Sequence, residues 1–576
     1  MYDNPIIKTQ QYPKRIRPFM DVNLKVTSLK GPYIGNQLDY EMKCWSSKCA
    51  VLVRGPTGCG KTTFILEKLL RYAKIQCKNI LIVANRNTLN LAYKKRLAEI
   101  TGVASYYTDE GLICAVQFDN VYVVNYQGFT SFCKQHKHIK FSYIVMDECH
   151  YFLSDAGFNS SSGEVLDMIP MCFKDAVRIY ISATLEEITP YIIRAELYDY
   201  EIWDDIVYEK LTDYPICNVR LGELFSGYHN IPFPEMYILP ESYDRIELNF
   251  FDDAEQLMMS LDAIESKTLV FTDSIERGKK LKAMVSSARL ISSEILADNP
   301  HIAKELIETE KFEEKFLITT SVFCNGNNIK DTKVENVVTF PTDKTEILQM
   351  AGRRRINHAS ESDSFSLFIY VPSLSELNYR IQATRELLEE IENCKKSEIH
   401  HLDVIKNDIY PLSEQIRNIT TINLENRKYQ INYLSEDKLY MQLKHLEKIK
   451  YLISNYGKTA YCKEIAEWFD EEYSPEMWFY TEDDKLTAML DFVKMFPKVM
   501  NRKEFVDFSR KVTEKRISLF GKTSADNTGK KRKPLGHTAL NNRFKEIELP
   551  VAVSFDDETY FIDIDEIKNT RRNFYD

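Results

Sequence analysis

Short β-branched runs alternate with helical stretches through the first part of the chain, and this alternation constrains the fold more than any other feature. "AVLVRG" (50–55), "NILIVA" (79–84), "VYVVNY" (121–126), "YIVMDE" (143–148) and "VRIYISAT" (177–184) read as buried strands, and "TTFILEKLLRYAKIQ" (62–76) as an amphipathic helix. Apolar runs of this kind, separated by helices, predict a parallel sheet covered on both faces. The pattern lapses over 186–245, an irregular inter-domain stretch, and then returns. "KTLVFTD" (267–273), "ARLISS" (288–293), "KFLITTSVF" (315–323), "VENVVTF" (334–340) and "SFSLFIYV" (364–371) form a second series. The economical reading is two α/β lobes in tandem.

A chain of 576 residues exceeds one hydrophobic core, and about three to four domains are expected. The predicted division is an N-terminal segment 1–29, a first lobe 30–205, a connection 206–245, a second lobe 246–375, a helical extension 376–500 and a basic C-terminal module 501–576. The last begins with 13 Lys and Arg against 6 Asp and Glu over 501–550 and includes "GKKRKP" (529–534). Its helical patterns at 501–522 and 536–547 precede a predicted hairpin at 551–565, an order compatible with a winged-helix-like, DNA-binding module. There Lys530, Lys531, Arg532 and Lys533 would contact phosphates. A solvated basic loop is the other reading.

The 12 cysteines are scattered singly with no C-x-x-C pair, which fits reduced thiols in a cytosolic protein. Neither a signal-peptide core nor an apolar run of about 18 residues occurs. A soluble cytoplasmic protein with no membrane partner is expected.

"GPTGCGKT" (55–62) fits G-x-x-x-x-G-K-[ST] between a strand and a helix, the context that motif requires. Gly55, Gly58 and Gly60 let backbone N–H groups approach a phosphate chain, and the helix N-terminus adds partial positive charge. Lys61 would reach the β/γ-phosphates of ATP and Thr62 would hold Mg2+; Thr57 and Thr63 complete the loop. In "DECH" (147–150) Asp147 ends a strand and would face the Mg2+ water shell, while Glu148 would orient or deprotonate the attacking water. "QMAGRRRI" (349–356) places three arginines after a glycine in a chain of net charge −10. This basic knot is a solvated helix end, a nucleic-acid contact, or a claw for a phosphate group.

Beyond these residues the chain resembles a superfamily 2 helicase or translocase of the DExH type, over about 60% of its length, residues 30–375. "GPTGCGKT" is similar to motif I, "ANRNTL" (84–89) to Ia, "VVNYQGF" (123–129) to Ib, "DECH" to II and "SAT" (182–184) to III. "LVFTDS" (269–274) resembles IV, "TTSVFCNGNNI" (319–329) resembles V, and "QMAGRRR" resembles VI. The resemblance implies two RecA-like lobes with ATP and Mg2+ between them and a single nucleic-acid strand across both. It implies that Gln349 contacts the γ-phosphate region, that Arg353 is an arginine finger, and that Gly326 and Asn328 belong to the nucleotide site. His150 would couple that site to Ser182 and Thr184. Arg86, Thr88, Gln127, Thr272, Ser274 and Thr320 are candidates for the nucleic-acid track.

The commoner motif VI has its second arginine three residues after the first. Here that position is Ile356, and Arg355 stands one residue early. On a helix i and i+3 share a face, and i and i+2 do not. Either the helix starts differently or Arg355 serves another purpose; Arg354 reads as a surface or nucleic-acid residue. The Q-x-x-G-R-x-R form is similar to phage-type and herpesvirus origin-binding helicases. That form tilts the partner towards DNA over RNA, as does the weak adenine-reading candidate Gln37. The rival functions are an ATP-gated clamp on an origin or partner, and the motor subunit of a defence or restriction complex. A protein partner would bind through 376–576.

Overall fold

The structure is a computed structural model. It describes residues 10–20, 24–46, 49–84, 93–94, 96–100, 105–108, 111–114, 120–197, 234–292, 295, 306, 309–320, 328–356, 360, 362–396, 412–423, 428–480, 486, 489–490, 492–520, 534–547, 549–556 and 559–564. The chain forms two compact units, one of residues 1–249 and 261–474, the other of 250–260 and 475–576.

The first lobe's strands are β1 (Lys25–Ser28), β2 (Ala50–Arg54), β3 (Ile80–Ala84), the hairpin β4 (Ser105–Thr108) and β5 (Gly111–Cys114), β6 (Val121–Asn125), β7 (Tyr143–Asp147), β8 (Val177–Ser182) and β9 (Glu235–Ile238). Of these, β2, β3, β6, β7 and β8 stand where the apolar runs predict them, and the other four are additional. Seven of them make one parallel sheet in the order β1-β9-β2-β8-β7-β3-β6. Strands β2, β3, β7 and β8 are almost wholly buried, as continuous Val/Ile/Leu runs require. Two apolar clusters cover its faces, one around Leu38, Phe64 and Leu69, the other around Phe152, Leu166 and Tyr191.

The stretch 186–245 is less irregular than expected. It supplies the helix Thr189–Leu197 and strand β9, which slots between β1 and β2. Strand β9 was missed because "EMYI" is short and only half-buried. The N-terminal segment contributes β1, and its Tyr12 and Ile16 sit in the first lobe's core.

The second lobe contains β10 (Ile246–Phe251), β11 (Lys267–Phe271), β12 (Ala288–Ile291), β13 (Phe316–Thr319), β14 (Val334–Thr339) and β15 (Phe365–Tyr370). They lie in the order β12-β13-β11-β14-β15-β10, and the pairs from β12 to β15 are parallel. The architecture is two tandem RecA-like lobes with a helical region after them. Helix α1 (Lys344–Ala351) follows β14, its N-terminus capped by the Asp343 carboxylate on Glu346 N, as N-caps favour.

The helical region holds α2 (Leu374–Lys396), α3 (Tyr433–Tyr456) and α4 (Lys458–Trp468). Helix α3 is fastened to both lobes. At its start the Asn432 side chain donates to Asn159 O and Ser162 Oγ, and Lys438 Nζ donates to Ser154 O at 2.7 Å. Arg15 pairs with Asp437, and Gly163 is pressed so closely that a Cβ there would lie 2.6 Å from the Tyr433 ring. Further along, His445 Nε2 lies 2.8 Å from Thr342 O, just ahead of α1.

The second unit has its own core, built on Phe508, Val512, Leu540, Phe544 and Val553. Its helices α5 (Arg502–Phe520) and α6 (His537–Glu546) match the predicted pair. The hairpin is present as Val551–Asp556 and Thr559–Ile564, joined by Val499–Met500 in an antiparallel sheet. Lys530, Lys531, Arg532 and Lys533 lie outside the described residues. No helix among the described residues is long and apolar enough to cross a membrane.

Candidate active site

Parallel register assembles the site. Because β2, β8 and β7 are adjacent and in step (Arg54 opposite Ser182, Ile181 opposite Asp147), their carboxyl ends present Gly55, Ser182 and Asp147 side by side. Gly55 N donates to Ser182 O at 3.1 Å. The loop then turns through Gly58 at φ +90° and Gly60 at φ +82°, conformations that favour glycine. Lys61, buried at the start of the following helix, donates to Gly55 O at 3.0 Å and lies 3.9 Å from Glu148. Thr62 and Thr63 are exposed beside it.

Asp147 is held at both carboxylate oxygens. Glu148 N donates to Oδ1 at 3.1 Å, and the buried Tyr93 hydroxyl donates to Oδ2 at 2.7 Å. Burial, then the neighbouring Glu148, pushes Asp147 up to about 6. Glu148 moves the other way. Burial opposes its charge, but Lys61, His150 and Arg353 outweigh that and hold it well below the usual carboxylate range. Glu148 also has φ +51°, a left-handed backbone that costs a non-glycine residue on the order of 1–3 kcal/mol and gathers at functional sites. The two acids are thereby separated in character: Asp147 is a buried, anchored carboxylate, and Glu148 a charged group suited to orient water. Thr62 and Asp147 offer the hard oxygen donors that Mg2+ prefers.

A hydrogen-bonded line leads away from Glu148. His150 Nδ1 lies 3.3 Å from Glu148 Oε2 and 2.9 Å from Ser182 Oγ. Thr184 N donates to Ser182 Oγ at 3.1 Å, and Gln349 Nε2 donates to Thr184 Oγ1 at 2.9 Å. The line thus runs from the first lobe's acid pair to α1 of the second lobe. Thr184→Val removes only the last link. A net hydrogen bond is worth about 0.5–1.5 kcal/mol, so kcat for ATP hydrolysis should fall roughly 2- to 10-fold; an unchanged kcat would disconnect Gln349 from the reaction.

The three arginines have different fates. Helix α1 stops at Ala351, the chain turns through Gly352 and Arg353, and Arg354 then lies in an extended bridge. Ile329 N donates to Arg353 O at 2.8 Å, and Arg355 N donates to Ile329 O at 2.9 Å, a parallel bridge centred on Arg354. Extended chain alternates its side chains, so Arg353 and Arg355 share a side while Arg354 faces the other way. Off a helix, two residues is the spacing that brings Arg355 to the side of Arg353. Arg355 Nη1 is buried, has no hydrogen-bond partner among the described residues, and lies 3.4 Å from where a Cβ on Gly58 would sit. Gly352 abuts the same loop, since a Cβ there would lie 2.8 Å from Thr57 Oγ1. Burial and then the charge of Arg353 push the Arg355 guanidinium down to about 9. An arginine keeps its proton in proteins, so this strain expresses itself as affinity for an anion.

Arg354 corrects the expectation of a surface or nucleic-acid residue. Its side chain is fully buried, donates to Val334 O at 3.0 Å and to Asp363 Oδ2 at 2.8 Å, and forms a two-pronged ion pair with Asp363.

The candidate strand-gripping residues divide. Gln127 is exposed, with Nε2 2.6 Å from the Tyr151 hydroxyl. Ser274 is exposed and caps the helix Ile275–Met284. Thr320 is 9% exposed. Thr272 is buried at 1% exposure and donates to Ser274 O, so its hydroxyl shapes the loop and contacts no strand. Arg86, Thr88 and Gly326 lie outside the described residues. Asn328 stands next to the Ile329 bridge with its Oδ1 buried and without a hydrogen-bond partner among the described residues. Gln37 Oε1 accepts from Lys30 N. Tyr93 is the residue that sequence reasoning missed, because a lone tyrosine in a helical stretch carries no signal of what its hydroxyl reaches.

Between the lobes, below Gln349, a cavity is lined by Glu187, Asp343, Glu346, Lys438 and His150. Burial, then Asp343, pushes Glu187 from 4.5 up to about 8, with Lys438 opposing. The folded chain therefore holds a proton that the unfolded chain releases above about pH 4.5, and this contribution to stability declines as pH rises through that window to about 8. Glu187→Gln should flatten the pH dependence of the denaturation midpoint there; identical profiles for variant and wild type would refute the assignment.

Residues 33–187 match the family model described as type III restriction enzyme, res subunit. A comparison with curated proteins finds no match. Similar solved structures include Saccharomyces cerevisiae Dbp5 bound to RNA and ADP BeF3, at 14% identity and a TM-score of 0.40, over 60% of this chain and 90% of that one. A point variant of Dbp5 with the same ligands gives 15% identity and a TM-score of 0.39, with the same coverage. The region that carries the P-loop, the acid pair and the Ser182–Thr184 segment is thus similar to a superfamily 2 helicase-type domain.

Proposed function

We propose that the chain is an ATP-dependent nucleic-acid helicase or translocase of the DExH type, acting in the cytoplasm on a single strand, with DNA favoured over RNA. The observation that carries this reading is the pair Arg353 and Arg355, delivered by the second lobe against the P-loop of the first. Charge develops on a transferring phosphoryl group, and guanidinium groups supplied across a cleft stabilise it only while the cleft is closed. Lys61 binds the β/γ-phosphates, Glu148 orients the attacking water, and Gln349 reports the state of that site through Thr184, Ser182 and His150. Mg2+, held by Thr62 and Asp147, would neutralise charge on the β- and γ-oxygens. Opening and closing with each hydrolysis cycle would step the two lobes along a strand gripped by residues such as Gln127 and Ser274. The motif VI form supports DNA.

Steady-state ATPase with single-stranded DNA, duplex DNA or single-stranded RNA, beside Lys61→Ala and Arg353→Ala, tests the reading. Stimulation by one nucleic acid, abolished in both variants, is the expected result. No hydrolysis under any of these conditions would sink the stand-alone motor. The match to a restriction-enzyme subunit would then favour a second reading, a motor subunit that needs a partner bound through 376–576.

A further inference from the structure

We infer that Tyr93 is a positioning residue for the metal side of the nucleotide site, holding the Asp147 carboxylate in place through one buried phenol. The inference rests on the proposed reading of Thr62 and Asp147 as Mg2+ ligands. Tyr93 is 1% exposed and belongs to the first lobe's apolar core. Its hydroxyl donates to Asp147 Oδ2 at 2.7 Å. A phenol has one proton to give. With that proton committed to Oδ2, the carboxylate is held in one orientation by a side chain from a separate helical stretch.

That orientation matters for a cation. Asp147 accepts at Oδ2 from Tyr93 and at Oδ1 from Glu148 N, and each carboxylate oxygen retains a further lone pair. Burial, followed by the charge of Asp147, holds the phenol far above its ordinary range, so it stays a neutral donor. The Tyr126 hydroxyl, which donates to Asp147 O, fixes the backbone of the same residue and not its carboxylate. Tyr93 is therefore the group whose loss would loosen that carboxylate while leaving the P-loop intact. Partners of this kind behind metal ligands typically set metal affinity by about 10- to 100-fold.

The test uses the full chain and Tyr93→Phe, which keeps the ring and deletes the hydroxyl, with Tyr93→Met as a second hydroxyl-free variant should the first prove poorly folded. Binding of a fluorescent ADP analogue is measured in EDTA and then against rising Mg2+, and Mn2+ binding is followed by electron paramagnetic resonance. The expected result is unchanged ADP affinity in EDTA, with the Mg2+ needed for half-maximal effect raised about 10-fold or more and Mn2+ weakened in parallel. A lowered melting midpoint with unaltered Mg2+ and Mn2+ dependence would overturn the inference and leave Tyr93 a packing residue. If Thr62→Ala and Asp147→Asn also leave metal dependence unaltered, the ligand assignment falls with it. Absence of ADP binding by the wild type would overturn the nucleotide-site reading itself.

Discussion

Arg355→Ala should lower kcat for nucleic-acid-stimulated ATP hydrolysis by about 10^3-fold or more, the scale on which an arginine finger acts, without lowering the denaturation midpoint. The guanidinium is buried beside Arg353 and aimed at the P-loop, and its own protonated form is disfavoured there by burial and by that like charge. Removing it relieves repulsion in the resting protein and takes away a cation where transition-state charge develops. The midpoint should therefore stay level or rise. Arg355→Lys should recover little of the rate, because an ammonium lacks the planar fork that grips phosphate oxygens. Single-turnover ATPase and urea denaturation on the same preparations separate the two effects. A variant that keeps wild-type kcat would remove Arg355 from the reaction, leaving Arg353 as the only finger.

Arg354→Ala should do the reverse. The ion pair with Asp363 is fully buried, the guanidinium also holds Val334 O, and it lies over the Phe365 ring at 5.8 Å. Breaking a buried pair by removing one partner costs about 3–5 kcal/mol, which should appear as a loss of stability in the second lobe, measured by hydrogen exchange across β14 and β15. Replacing both partners, Arg354→Met with Asp363→Leu, should restore most of that stability, since apolar groups of similar bulk often substitute for a buried pair at little cost. If Arg354→Ala instead leaves the second lobe equally protected and weakens strand binding, Arg354 is a nucleic-acid contact after all.

Three consecutive arginines thus divide between chemistry and architecture, and the division shows what each level of description contains. The strands were legible because a parallel strand covered on both faces must be written in unbroken apolar residues, as in Ile80–Ala84 and Tyr143–Asp147. The P-loop was legible because its glycines and lysine are adjacent in the chain, so that local backbone geometry alone defines the cradle. Strand β9 was not, because a short half-buried run gains its place from the neighbours β1 and β2 and not from its own pattern.

Side-chain roles that depend on distant partners were equally out of reach. Nothing in "GRRR" says that α1 ends at Ala351; the sharing of a face by Arg353 and Arg355 follows from the bridge to Ile329, 25 residues from Arg354. Thr272 reads as a loop hydroxyl free to touch a strand, yet the carbonyls of Ser274 and Thr319 turn it inward. Tyr93 is one tyrosine among 34 until the fold sets its hydroxyl on Asp147. The sequence by itself determined the two lobes, the nucleotide loop and the order of the motifs, because these depend on periodicity and on residues adjacent in the chain. Only the tertiary structure decided which arginine faces the P-loop, which is buried in a salt bridge, and which phenol holds the acid, because those assignments depend on side-chain direction and on partners brought together through space.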